Sequence, residues 1–266
     1  MTPGEELFCR YSYHPNQLGY CGPSEWDGLD VRAYAQGFAG AWAYLQVIAE
    51  MMGRDPLDEL VVRTYWIGTD EGDALDATHF FTRLLEIIGP QAGGYWGHLG
   101  EDGLVDEASP SHAFHVLGIY PWSRLLDLGP EAVGVLNNCL LRPAKVELRS
   151  GEPTGDLERA GSEASSAAQT RLVARTRKLV YRGGQLEWAE SVEEVEGLEQ
   201  VGGPAAGSTL PSPSPSPSPG TGVLHWGHVA GELSPTEADS LWQRLDRQVA
   251  LTNRRLGRAR LGNDHS

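Results

Sequence analysis

Apolar residues recur at helical spacing through the first half of the chain. Tyr34, Phe38, Ala41, Trp42, Leu45, Ile48, Ala49 and Met52 share one face of a segment opened by Leu29-Asp30 and stopped by Gly53. One long helix is predicted over 26–53. Gly37 and Gly40 interrupt it, and each costs about 1 kcal/mol against alanine in a helix interior. They either permit close packing against a neighbour or mark a bend. The same periodicity predicts helices over 56–67, with Pro56 in the first turn, and over 73–88, 111–126 and 130–141. Pro121 breaks the fourth of these. Residues 91–111 are rich in Gly, Asp and Ser and read as a long loop, a kind of segment that often carries function.

At Pro143 the pattern changes. Residues 144–149, 171–176, 178–182 and 223–229 have strand character, and 151–170 read as a polar loop. Gly183-Gly184 is a two-residue hairpin signal that sets Tyr181 opposite Leu186 and Leu179 opposite Trp188. Residues 190–202 are dense in Glu. The Ser-Pro repeat within 203–222 cannot pair in a sheet, because proline lacks the N–H donor, and it reads as a disordered insertion. Ser234, Pro235 and Glu237 form a capping box for a last helix. Its buried stripe is Ala238, Leu241, Trp242, Leu245, Val249, Thr252 and Leu256. The expected class is α+β. A helical domain over 1–142 precedes a small antiparallel β-sheet and a C-terminal helix over 143–256, and 257–266 fray.

Charge narrows the function classes. A net charge of -15 argues against nucleic acid and against an anionic membrane surface, since both need a basic field. No stretch reaches the roughly 18 apolar residues of a spanning helix, and the N-terminus lacks the pattern of a signal peptide. A cytoplasmic protein is expected, with its three cysteines as thiols.

Candidate chemistry begins in 7–23, LFCRYSYHPNQLGYCGP, which reads as turn-rich at His14-Pro15-Asn16 and at Cys21-Gly22-Pro23. Cys9 and Cys21 stand further apart than the usual zinc spacing, so burial as packed thiols is favoured over a thiolate site. His112 and His115, at i and i+3, share a face if helical and could share a metal; one capping and one packed histidine is the plainer alternative. Cys21, His112, His115, Cys9 and His14 are the candidates for a ligand or a divalent transition metal. Tyr11, Tyr13, Tyr20, Trp66, Trp122, His225 and Trp226 are the candidates to line a pocket. His225 and His228 on one strand would face opposite sides. Asp70, Glu71 and Asp73 could bind a cation or act as an acid–base pair, but a solvated, helix-capping turn is favoured. No phosphate loop, dinucleotide fingerprint, nucleophile elbow or Cys-x-x-Cys pair occurs.

The blocks FCRYSYHPNQLGYCGP, VVRTYWIG, SHAFHVLGIYPW, VLNNCLLR and VLHWGH, in that order, resemble an uncharacterised family of actinobacteria, a domain of unknown function encoded near nickel–iron hydrogenase genes. The resemblance runs from Phe8 to the last helix. It implies an accessory, partner-binding role in hydrogenase maturation or function, without catalysis. Other residues often replace Cys9 in that family, which weakens Cys9 more than Cys21. The alternative is a metal- or small-ligand-binding protein, or an enzyme, using a Cys/His site.

Overall fold

The computed structural model describes residues 1–17, 22, 30–91, 99, 103–150, 170–197 and 220–263, the side chains of 13–17, 91, 150, 170, 196–197 and 260–263 lying outside that description. The chain is α+β. Helices α1 (Pro3–Gln17), α2 (Val31–Gln36), α3 (Ala39–Met52), α4 (Glu59–Ile67), α5 (Asp70–Asp73), α6 (Ala77–Ile88), α7 (His112–Phe114) and α8 (Pro130–Cys139) come first. Strands β1 (Arg142–Ser150), β2 (Thr170–Arg182), β3 (Gln185–Gly197), β4 (Gly220–His225) and β5 (His228–Glu232) follow, and α9 (Pro235–Asn263) ends the chain.

Local chemistry corrects several expected boundaries. Residues 26–29 of the helix expected over 26–53 lie outside the described residues, and the rest of that span is two helices. Gly37 closes α2, its N–H bonding back to the carbonyls of Ala33 and Tyr34, and Phe38 leaves the helical region. That turn aims the Phe38 ring at Phe8 and Tyr34, 5.4 and 4.9 Å away. Helix α4 starts three residues after Pro56, because Asp58 caps it by accepting from Leu60 N. The segment 73–88 divides likewise. Thr69 caps α5 and Asp76 caps α6 through His79 N at 2.6 Å.

The turn expected at His14-Pro15-Asn16 lies within the helical backbone of α1. Proline at 15 cannot donate to the carbonyl of Tyr11, four residues back. That carbonyl instead accepts from His225 Nδ1 at 2.8 Å. A breaker residue thus leaves an acceptor free for a contact 214 residues away in sequence.

The sheet is small and closes on itself, in the order β1-β2-β3-β5-β4. Its pairings are antiparallel except for a short parallel match of Glu196 with His228 and Gly197 with Val229. The Gly183-Gly184 hairpin has the expected register, Tyr181 opposite Leu186 and Leu179 opposite Trp188. The two segments 171–176 and 178–182 are one strand. The Glu-rich stretch stays extended as far as residue 197 because arginines face it: Glu194 meets Arg171 at 3.0 Å, and Glu193 takes both terminal nitrogens of buried Arg142 at 2.8 and 2.9 Å. Gly220, Thr221 and Gly222, expected in the disordered insertion, open β4 and pair with β1. Residues 203–219 of that insertion lie outside the described residues.

Residues 223–229 are a hairpin rather than one strand. The chain reverses at Trp226 and Gly227, both at positive φ (52° and 79°), and the Trp226 N–H donates to Asn138 O at 3.0 Å. His225 and His228 therefore face each other across the hairpin as the pair that closes the turn. Helix α9 begins at the expected capping box, where Ser234 and Glu237 exchange bonds at 2.8 and 3.2 Å. It runs on to Asn263, past the point where fraying was expected.

A small barrel core holds Ala144, Val146, Ala174, Val195, Leu224 and Val229. The larger core is continuous from α1 through α8 into the outer face of the barrel and α9, from Phe8 and Tyr44 to Leu179, Val223 and Leu241. The helical region and the barrel are thus joined by shared apolar burial, the dominant favourable term in folding.

Candidate functional site

The site lies where α1, α3, α4, α7 and the β4–β5 hairpin converge. A cavity of about 240 Å³ is bordered there by Phe38, Tyr65, Trp66, Tyr120 and Trp226, by the three imidazoles of His112, His115 and His225, and by Ser12, Gly22, Gly40 and Cys139. For scale, a cavity of roughly 150 Å³ accommodates benzene.

The two clustered histidines reach it through a local irregularity. Ser111 caps α7, accepting from Phe114 N at 3.2 Å. The chain then widens into a π-helical turn over His115–Ile119, closed by Tyr120 N donating to His115 O at 2.9 Å. Single π turns inside helices are frequent at functional sites. Side chains cover the carbonyls this turn leaves over. Ser123 Oγ and Arg255 Nη2 donate to Leu117 O at 2.7 and 3.0 Å, and Arg124 Nη1 donates to Gly118 O at 2.9 Å. Arg255 also donates from Nε to Glu107 Oε1 at 2.5 Å, and Thr252 donates to the other oxygen at 2.9 Å. Arg255 and Glu107 are 4% and 1% exposed, so the π turn rests on a buried ion pair.

His115 is held by three tyrosines. Tyr44 stacks on it at 4.8 Å and 22°, and Tyr120 lies 4.5 Å away at 31°. Its Nδ1 is 2.8 Å from Tyr65 Oη. A phenol is the stronger acid of this pair, so Tyr65 donates and the imidazole proton is on Nε2. Gly40 makes room for the ring. A Cβ built there would lie 2.7 Å from Cε1 and 2.9 Å from Nε2 of His115. Of the two expectations for this glycine, close packing is the one observed. Gly40→Ala is therefore expected to displace the ring and cost about 1–3 kcal/mol of stability. Chemical denaturation checks this; an unchanged midpoint would contradict the contact.

His112 lies against Trp66 (4.7 Å), His225 (5.5 Å) and His115 (6.2 Å between ring centres). The His112 Nδ1 and Trp66 Nε1 atoms are buried without a hydrogen-bond partner. His225 uses Nδ1 as a donor, since the Tyr11 carbonyl can only accept.

Electrostatics keep the cluster neutral. Burial pushes His115 down to about 3. Burial, with the nearby His225 and His115, holds His112 well below the ordinary histidine range. Burial brings His225 to about 4, although hydrogen bonds to the carbonyls of Tyr11 and Cys139 favour its charged form. Neutral imidazoles can each offer one donor and one acceptor, and can accept a proton from a bound molecule.

The remaining sequence candidates are distributed differently. Cys9 is buried in the core and does not border the cavity; burial, with Glu5 and Glu6 beside it, raises its thiol to about 12, so it is not a thiolate. Tyr11 is buried, its ring 5.7 Å from that of Trp66. Trp122 is half-buried against the core, away from the cavity lining. Cys21 and Tyr20, and the side chains of Tyr13 and His14, lie outside the described residues; Gly22, next to Cys21, does border the cavity. Among the described residues no group of three or more His, Cys, Asp or Glu is arranged to hold a metal ion. Asp70 and Asp73 both pair with Arg244, at 2.9 and 2.8 Å.

Tyr44, Tyr65, Tyr120 and Cys139 escaped the reading of the sequence as site residues. Tyr65 had one available signal, its place beside Trp66 in VVRTYWIG. Tyr120 had another, its place five residues after His115 in SHAFHVLGIYPW, whereas nothing local links Tyr44 to His115.

No curated protein and no solved structure matches the chain. A family model, described as a family of unknown function, DUF6390, matches residues 1–156. That span holds every cavity residue named above except His225 and Trp226, which the β4–β5 hairpin supplies. The match covers more than half of the 266 residues, and the chain accordingly belongs to the DUF6390 family.

Proposed function

We propose that this protein binds a small molecule, about the size of one substituted ring, in the cavity between its helical region and its barrel. One observation carries the reading. Three uncharged imidazoles from two distant parts of the sequence converge on an aromatic-walled space of about 240 Å³. Mostly apolar walls with a few convergent polar groups are the usual make-up of a small-molecule site. Burying three histidines without a counter-charge is costly to folding, and structural packing alone would be served better by leucine or phenylalanine.

Thermal unfolding with a set of single-ring fragments tests the reading. A fragment present at about ten times its Kd should stabilise by roughly 1.4 kcal/mol. Ala41→Phe places a ring at the cavity wall and should abolish the shift. If no fragment shifts the wild-type protein, or if the variant responds equally, the reading fails. An accessory role beside a nickel–iron hydrogenase rests on the sequence resemblance. Pull-down from the native host tests it, and recovery of no hydrogenase subunit or maturation factor would count against it.

A further inference from the structure

The polar edge of the cavity is made of imidazoles rather than of fixed charges. No Asp, Glu, Lys or Arg is among its described lining residues. His112 stands between the other two imidazoles, 5.5 Å from His225 and 6.2 Å from His115, ring centre to ring centre. An anion seated among these uncharged rings favours protonation of one of them, which gives the cluster a counter-charge for it. Two ring atoms are available to meet one. Nδ1 of His115 is taken by Tyr65, and Nδ1 of His112 is sealed in the protein. The Nε2 atoms of both rings form no hydrogen bond with the described residues, and both rings border the cavity. On His115 that atom carries the proton and donates.

The groups facing these two rings are Tyr44 of α3, Tyr65 of α4, Tyr120 after the π turn, Cys139 of α8 and His225 of β4. Arg255 of α9, behind the π turn, is paired with Glu107 and offers the cavity no charge. The walls suit a flat body: Phe38, Trp66 and Trp226.

We propose that the cavity takes a small aromatic carboxylic acid, its carboxyl group held between Nε2 of His112 and Nε2 of His115 and its ring against Phe38, Trp66 and Trp226. One oxygen accepts from His115. The other shares a proton with His112, either as a neutral carboxyl donating to the imidazole or as a carboxylate accepting from the imidazolium. The two forms differ only in the position of that proton. Free ligand and free protein both lack it at neutral pH, so binding takes one proton from solvent. This inference rests on the small-molecule reading above and adds the ligand's class.

Calorimetric titration with benzoate and with benzamide, between about pH 6.5 and 8.5, tests it. Benzoate should bind with uptake of about one proton, its affinity falling about tenfold per pH unit across this range. Benzamide should bind more weakly, with no such slope. His112→Asn, which retains hydrogen bonding but cannot hold the proton, should remove the slope for benzoate. The inference is overturned if benzamide binds as well as benzoate, or if benzoate binds without proton uptake; the cavity reading survives both results. If neither probe binds, the carboxylate assignment and this size of ligand both fail.

Discussion

Lowering the pH from about 7.5 to about 5.5 is expected to remove on the order of 4 kcal/mol of folding stability. The sign follows from the three imidazoles. Unfolded, each takes up a proton near its ordinary value of about 6.5. Folded, His115 stays neutral down to about 3 and His225 to about 4, and His112 is likewise held well below its ordinary value. Between those limits the unfolded chain binds more protons than the folded one. Their full contribution is therefore present above about pH 6.5 and is lost as the pH falls. Each group contributes roughly 1.4 kcal/mol per pH unit in that window, and there are three of them. A loss this large is a substantial part of the usual 5–15 kcal/mol of a folded domain, roughly speaking. Urea unfolding at the two pH values measures it. Replacing His115 with Gln should flatten the dependence by about a third. A midpoint that does not move between the two pH values would show that these rings are not buried neutral groups.

Arg255→Ala is expected to cost about 3–5 kcal/mol, because it leaves the Glu107 carboxylate buried without its cation. The same change uncovers Leu117 O and removes a partner of Ser123 Oγ, both of which hold the π turn in place. The loss should therefore extend to the site. Benzoate affinity should fall together with stability. Replacing both partners with apolar residues, Glu107→Leu with Arg255→Met, should be much milder than either single change, since no charge is then stranded. Comparing the three variants by chemical denaturation separates the cost of an orphaned charge from the net worth of the pair. Equal losses in all three would contradict this explanation.

What the sequence revealed of the fold was its local part. The Gly183-Gly184 hairpin and the capping box at Ser234 each follow from two or three adjacent residues whose backbone or side-chain chemistry allows little else. Helix edges were less legible where capping groups competed. Asp58 and Asp76 outvoted the apolar periodicity that had extended each helix towards its N-terminus. The turn at Trp226 was hidden, because a tryptophan at positive φ is disfavoured locally and is held by a distant bond to Asn138. Closure of the sheet was hidden too, since it depends on β3 meeting β5 across the end of the chain's longest sequence excursion.

The candidate site divides the same way. His112, His115, His225, Trp66 and Trp226 were identifiable as chemistry-bearing residues in aromatic surroundings. Their convergence was not, because it needs Pro15 to free the Tyr11 carbonyl, Gly40 to admit the His115 ring, and α9 to support the π turn. Each of these is a contact between segments far apart in sequence. The cysteine pair drew attention first; Cys9 lies in the core, as its spacing from Cys21 favoured, with burial pushing its thiol up.

Nitrogen-15 NMR of the histidine rings, followed from about pH 8 to 5 with and without benzoate, addresses the cavity most directly. The expected result is that three of the chain's eight imidazoles stay neutral throughout in the absence of ligand while the protein remains folded, with His225 protonated on Nδ1 and His115 on Nε2. Benzoate should then perturb the His112 and His115 signals together. Titration of these rings near the ordinary value of about 6.5, with no response to the ligand, would contradict a buried, uncharged histidine site.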